Sequence, residues 1–173
     1  AEYPFMVFSL LNIDAEPRFQ GIASHEYNLI VSTNCLHATP FMANTMRNCH
    51  QLLHEGGLLV VNEAVGITAF AQITFGLTDG WWLFSEVGDP ERVGQMSPLL
   101  TWRQWEAILD KCGFGESHLM QGEGFLNIQA VFVAQAGRGG TPKRKHSMDL
   151  SEVSHLLSGG LGGLGLLTAR FLV

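Results

Sequence analysis

The sequence is short of charge. Of its 173 residues only 15% are Asp, Glu, Lys or Arg, against roughly 25% in ordinary soluble domains. With 46% hydrophobic residues, this balance excludes disorder as the main state, which needs the opposite composition. A basic surplus is also missing. Ten Lys and Arg stand against sixteen Asp and Glu, a net charge of −6. Such a surface offers little to a phosphate backbone, so nucleic acid is not an expected partner. Cysteine is scarce and odd in number: Cys35, Cys49 and Cys112, far apart. Neither a disulfide framework nor a zinc site is expected, and a reducing, cytoplasmic setting is. No basic, apolar leader opens the chain at Ala1-Glu2-Tyr3-Pro4, so no signal peptide is expected. The apolar run Leu156–Val173 is interrupted by Arg170 and several glycines and is barely of spanning length, which excludes a membrane helix. Both ends read as interrupted, the first for want of a Met and the last for stopping inside an apolar run. The length allows about one domain with a real core.

What is present is a set of apolar runs of strand length. Phe5–Leu11 (FMVFSLL), Tyr27–Thr33 (YNLIVST) and Leu58–Val61 (LLVV) are apolar on both faces, which suits the middle of a parallel sheet covered by helices. Between the last two, Thr39-Pro40 predicts an N-cap with Pro at the first helical position. Phe41, Met42, Met46, Cys49, Leu52 and Leu53 recur at helical spacing and Gly56-Gly57 supplies the stop. Strand, helix, strand with short connections is a βαβ crossover. The fold class is α/β. Further on, Trp102–Cys112 predicts an amphipathic helix stopped at Gly113, and Phe125–Ala134 a terminal strand. Residues 137–146 (GRGGTPKRKH) break the composition and read as the core of a linker, its basic run as solvated charge. Val153–Ser158 reads as a short strand leading into a glycine-rich turn.

Ligands of open parallel sheets sit beyond the carboxyl ends of the strands. Three such ends carry polar residues: Asn12-Ile13-Asp14, Asn34-Cys35-Leu36-His37 and Asn62-Glu63. Each also suits a plain turn, and spacing alone does not identify a ligand. The second signal is Gly160-Leu-Gly162-Gly-Leu-Gly165, after a strand and before a helix-like run. In that context glycines permit a tight turn and close approach of the backbone to a pyrophosphate.

The stretch YNLIVSTNCLHATPFMANTMRNCHQLLHEGGLLVVNEA, with NIDAEPRFQG before it and TFGLTDGWWLF and SPLLTWRQWEAILDKCGF after it, resembles the C-methyltransferase domain of type I polyketide synthases. The resemblance spans roughly residues 3–135. It implies a partial class I, Rossmann-like fold that uses S-adenosylmethionine (SAM) to methylate the α-carbon of a β-ketoacyl chain carried on an acyl carrier protein. It also implies site residues. His37 and Glu63 match the catalytic pair, with His37 as base and Glu63 orienting it. His has a reference pKa of about 6.5, suited to taking a proton near neutrality. Asn12 and Ile13 match the pair flanking the adenine, with Asn12 where an Asp is usual, and Asn34 falls in the loop lining the methyl donor. Trp81 and Trp82 lie where the acyl substrate approaches, although paired Trp also serves core packing. Phe75 and Phe84 are assigned to packing. Each of Asn34, His37 and Glu63 retains a bland alternative as turn former, helix-start residue or surface carboxylate.

Residues 154–173, with Gly159, Gly160, Gly162, Gly163 and Gly165, resemble the opening of a polyketide synthase ketoreductase, which binds NADPH. The expected organisation is therefore a partial C-methyltransferase over 1–136, a linker over 137–153 and the first βα unit of a second Rossmann fold over 154–173. The partners implied are other domains of the same synthase, which as a whole is expected to be a homodimer. The first SAM loop has no match here, so the piece alone is expected to bind SAM poorly and to be inactive. No metal is expected. Two alternatives are a degenerate methyltransferase domain that only supports a megasynthase, and a free-standing small-molecule methyltransferase.

Overall fold

A computed structural model describes residues 6–120, 128–137 and 155–157. One five-stranded sheet organises them. Its strands are β1 (Tyr27–Thr33), β2 (Leu53–Ala64), β3 (Phe114–Met120), β4 (Gln129–Ala136) and β5 (His155–Leu157), in the order β3-β4-β2-β1-β5. β1 runs parallel to β2 and to β5, while β4 is antiparallel to both β2 and β3. The sheet is thus mixed. Helices α1 (Met42–Leu52), α2 (Ala69–Thr74), α3 (Asp79–Glu86) and α4 (Trp102–Lys111) fill the connections.

Period decides which face of each element is covered. On α1, Met42, Met46, Cys49 and Leu52 recur at i, i+4, i+7 and i+10 and are all buried, the stripe of an amphipathic helix. On α4, Trp105, Ile108 and Leu109 do the same. Both stripes pack on Ile30, Leu59, Val61, Phe114, Phe132 and Ala134 of the sheet. Along β2 buried and half-buried residues alternate from Gly57 onward. The strand therefore has a covered face and a less covered one, where the apolar run suggested cover on both.

Four local expectations change. Met6–Leu11 form no strand, and Val7 and Leu10 are 92% and 98% exposed. An apolar run becomes a strand only beside a hydrogen-bonding neighbour, and among the described residues none lies next to it. Helix α1 starts at Met42, with Phe41 and not Thr39 as its cap residue. Thr39 Oγ1 is turned inward, donating to Leu36 O at 2.8 Å and accepting from Thr45 Oγ1 at 2.7 Å. The free N–H groups are met instead by two distant carboxylates: Phe41 N donates to Asp14 at 3.1 Å and Met42 N to Asp89 at 3.5 Å. At the other end Gly56, at φ 81°, does not stop the helix but lies within β2, where the pairing with β1 shifts register. Finally, the three described residues of the segment expected to open a second Rossmann unit pair with β1 as an edge of this same sheet. Residues 138–153 of the expected linker, the opening residues 125–127 of the predicted terminal strand, and Gly159, Gly160, Gly162, Gly163 and Gly165 lie outside the described residues. Among the described residues no helix is long and apolar enough to cross a membrane.

One histidine couples this core to pH. His50 lies edge-on to Phe114, with ring centroids 5.2 Å apart at 88°. Burial holds its pKa below the ordinary 6.5. The unfolded chain then takes up the proton at higher pH than the folded one, so this group's stability is present above about 6.5 and is lost as pH falls toward the folded value. Thermal melts between about pH 5 and about pH 7.5 should show the transition falling on acidification, and His50→Leu should flatten that fall. An unchanged slope in the variant would assign the acid sensitivity elsewhere. In the core itself Phe132 is fully buried between Trp102 and Trp105. Phe132→Ala is expected to cost about 3–5 kcal/mol in denaturant unfolding.

Candidate active site

The site forms where β1 and β2 end side by side. Asn34 follows β1 with φ 45°, a left-handed conformation that Asn adopts more readily than most residues. Its N–H donates to Asn62 O at 2.8 Å, carrying the ladder one step further. Its Oδ1 accepts from Ala64 N at 3.1 Å and from Gln129 Nε2 at 2.9 Å, and the same Gln129 nitrogen reaches Asn62 Oδ1 at 2.8 Å. One amide thus ties together the ends of β1 and β2 and the start of β4. Among the described residues its Nδ2 has no protein partner.

The chain then makes a 3₁₀ turn at Leu36–Ala38, directly over the end of β2. The alternation that buries Leu59 and Val61 also buries Glu63, whose side chain has no exposure. A buried carboxylate needs hydrogen bonds. Glu63 Oε1 accepts from Cys35 N at 2.9 Å and from Leu36 N at 2.8 Å, and Oε2 meets His37 Nδ1 at 2.5 Å. With Nδ1 as the donor, Nε2 keeps the ring's free lone pair. His37 keeps 14% side-chain exposure and lines a cavity of about 480 Å³.

That cavity is mainly apolar. Trp81 forms one wall, its ring edge-on to His37 with centroids 6.4 Å apart and stacked on Phe75 at 5.8 Å. Trp81 Nε1 is fixed by Gln72 Oε1 at 3.0 Å. No Lys or Arg is among the lining residues. Aromatic faces with no competing cation suit a positively charged sulfur better than an anion. The lining is therefore compatible with the methyl-bearing end of SAM.

His37, Glu63, Asn34 and Trp81 come together. Trp82 does not line the cavity; its Nε1 donates to Gly76 O at 2.9 Å and its ring stacks on Phe84 at 6.4 Å. Asn12 and Ile13 lie outside the cavity too. Asn12 Oδ1 accepts from Asp14 N at 3.2 Å, its backbone is clamped by Gln20, and the Ile13 side chain packs against the core. Phe75, read as packing, is instead a cavity wall that is 53% exposed. Gln129 was not anticipated, because its role depends on β4 lying antiparallel beside β2. Neither was Arg92, which is buried behind His37; the spacing Asp89-Pro90-Glu91-Arg92 was the available signal, an Asp cap followed by Pro. Cys49 supplies no nucleophile, since burial pushes its thiol up to about 12. Among the described residues no cluster of three His, Cys, Asp or Glu is placed to hold a metal.

The conformation of Asn34 yields a test of its role as a clamp. Asn34→Ala removes the shared acceptor and also forces a β-carbon into the left-handed region, whereas Asn34→Gly removes the acceptor alone. Unfolding measurements should find Asn34→Ala the less stable by about 1 kcal/mol, the reverse of the usual Ala–Gly order.

No protein-family model matches the chain. Polyketide synthase ThaG of Burkholderia thailandensis is 36% identical over 134 residues, which cover 78% of this chain and 2% of that protein. Among solved structures, the CurJ carbon methyltransferase superposes with a TM-score of 0.71 at 35% identity, covering 79% of this chain and 36% of that one. The trans-methyltransferase CalH, solved in complex with SAH, gives 0.70 at 26% identity, over 79% of this chain and 37% of its own. The chain thus spans about a third of the solved methyltransferases and a small part of the synthase. By sequence and by fold it is similar to the carbon-methyltransferase domains of polyketide synthases, and its mixed sheet is that of the class I SAM-dependent methyltransferases.

Proposed function

We propose that the chain forms part of a domain that transfers a methyl group from SAM to the α-carbon of a β-ketoacyl chain held on an acyl carrier protein of the same synthase. The observation that carries this reading is the His37 Nδ1–Glu63 Oε2 contact at 2.5 Å on the wall of an apolar cavity. SAM, when bound, supplies the methyl as an electrophile on cationic sulfur, which keeps the bonding pair as the methyl leaves. His37 Nε2 takes the α-proton, so that the C–H pair stays on the substrate as an enolate able to accept that methyl. Glu63 holds the tautomer that leaves Nε2 free and offsets the charge that His37 gains. The Trp81–Phe75 wall keeps water from the enolate.

Further assignments belong to the same proposal. Asn12 and Ile13 are proposed to flank the adenine, and Trp81, more than Trp82, to face the acyl chain. Residues 154–173 are proposed to open a ketoreductase that binds NADPH through Gly159, Gly160, Gly162, Gly163 and Gly165, within a cytoplasmic, homodimeric synthase. Because the chain spans 36% of the CurJ structure, the piece alone is proposed to be inactive. A degenerate scaffold domain has no use for the His37–Glu63 contact, which favours the catalytic reading over it.

In the intact synthase His37→Ala is expected to abolish α-methylation while the acyl chain still extends, which mass spectrometry of the product reads directly. Glu63→Gln turns an amide N–H toward Nδ1, drives the proton to Nε2 and removes the base. A rate loss of about 10³–10⁴-fold is expected, the scale known for a mis-set tautomer in another His–carboxylate site. Fully methylated product from the His37→Ala synthase would sink the assignment.

A further inference from the structure

The turn that carries His37 is held from two sides, and only one of them is Glu63. A 3₁₀ turn of three residues has little stability of its own. Its N–H groups at Cys35 and Leu36 are taken by Glu63. Its carbonyls face the opposite way, into the protein, and there they meet Arg92. This residue is 1% exposed. Nη1 donates to His37 O at 2.7 Å and, at the limit of a hydrogen bond, to Pro98 O at 3.5 Å. Nη2 donates to Thr39 O at 2.6 Å and to Pro40 O at 2.9 Å. Nε donates to Asp89 Oδ2 at 2.6 Å. All five N–H donors of the guanidinium thus have acceptors, and the Phe84 ring closes its face at 5.0 Å.

A buried ion pair of this kind brings little net stability over an apolar pair of the same shape. Burial also lowers the Arg92 pKa, against the pull of Asp89. What the arrangement does supply is geometry. The planar fork is the one side chain that reaches three carbonyls of one loop and a carboxylate at once. Asp89 extends the hold, because the same Oδ2 receives Met42 N at the first residue of α1, at 3.5 Å. The His37 backbone is therefore fixed by a cation behind it, while its ring is fixed by an anion in front.

We propose that Arg92 is a positioning residue for the methyl transfer: through the carbonyls of His37, Thr39 and Pro40 it sets where the His37 ring stands in the cavity. The proposal rests on the reading of His37 as the base. Arg92 is not among the residues lining the cavity, so it acts through the backbone it holds, above all that of His37. Its loss should slow proton removal and leave ligand binding intact.

The test uses the intact synthase, loaded with a β-ketoacyl chain on its carrier and saturated with SAM. Two quantities are read: α-methylation with its kcat and KM, and deuterium uptake at the α-carbon from D2O. Arg92→Lys keeps the charge and the Asp89 pair but loses the fork. Arg92→Met with Asp89→Asn leaves no unpaired buried charge, so it guards against a simple folding defect. Both variants should lose about tenfold to a hundredfold in kcat, the scale of a displaced catalytic group. KM for SAM and for the carrier-bound substrate should stay within about twofold, and deuterium uptake should fall in parallel with kcat. Arg92→Lys retaining wild-type kcat, or either variant losing SAM affinity as steeply as kcat, would overturn the positioning role. A wild-type synthase that leaves the α-carbon unmethylated would instead overturn the reading of His37, and this inference with it.

Discussion

One buried carboxylate governs the geometry. Glu63 has no exposure and sits on the covered face of β2, two residues beyond Val61, for no reason other than the strand's period of two. A carboxylate out of water is tolerable only when its oxygens are met. All three donors come from the residues that follow β1: the N–H groups of Cys35 and Leu36 and the His37 ring. The parallel register that sets Thr33 against Asn62 places that loop over the carboxylate. A slip of one residue would turn Glu63 outward and leave the turn without its acceptor.

The rest of the site follows from the same constraint. A turn whose N–H groups point at an anion presents its carbonyls on the other side, and those also need partners. Arg92 meets them, and Asp89 neutralises Arg92. His37 is thus tied by its backbone to a cation and by its ring to a carboxylate, both excluded from solvent. In such a medium hydrogen bonds and charges act more strongly than in water. Trp81 and Phe75 set an aromatic wall beside the imidazole. That is the environment which the proposed removal of an acidic C–H proton calls for.

Much of this was legible in order along the chain. The βαβ unit showed in the apolar runs around Tyr27–Thr33 and Leu58–Val61, and in the stripe Met42, Met46, Cys49, Leu52. His37 and Glu63 were legible through their resemblance to a known pair, not through spacing. Boundaries were less legible. Thr39-Pro40 has the form of a helix start, but Thr39 spends its hydroxyl on Leu36 O, and α1 begins on the carboxylates of Asp14 and Asp89, 27 and 47 residues away. No local pattern reports a cap supplied from such a distance. Trp81 and Trp82 are indistinguishable as neighbours in sequence. On a helix they point about 100° apart, and the fold turns one to the cavity and the other to Phe84.

The sequence by itself determined the periods: which residues share a face of α1 and α4, where β1 and β2 run, and that polar residues stand at their ends. Periods follow from backbone geometry, which is local. Only the tertiary structure decided that Glu63 meets His37, that Gln129 joins Asn34 to Asn62 and that Arg92 stands behind the Leu36–Ala38 turn. Those contacts join residues 26, 67, 95 and 55 positions apart. They exist because a buried polar group must find its partner wherever the packed chain brings one within reach.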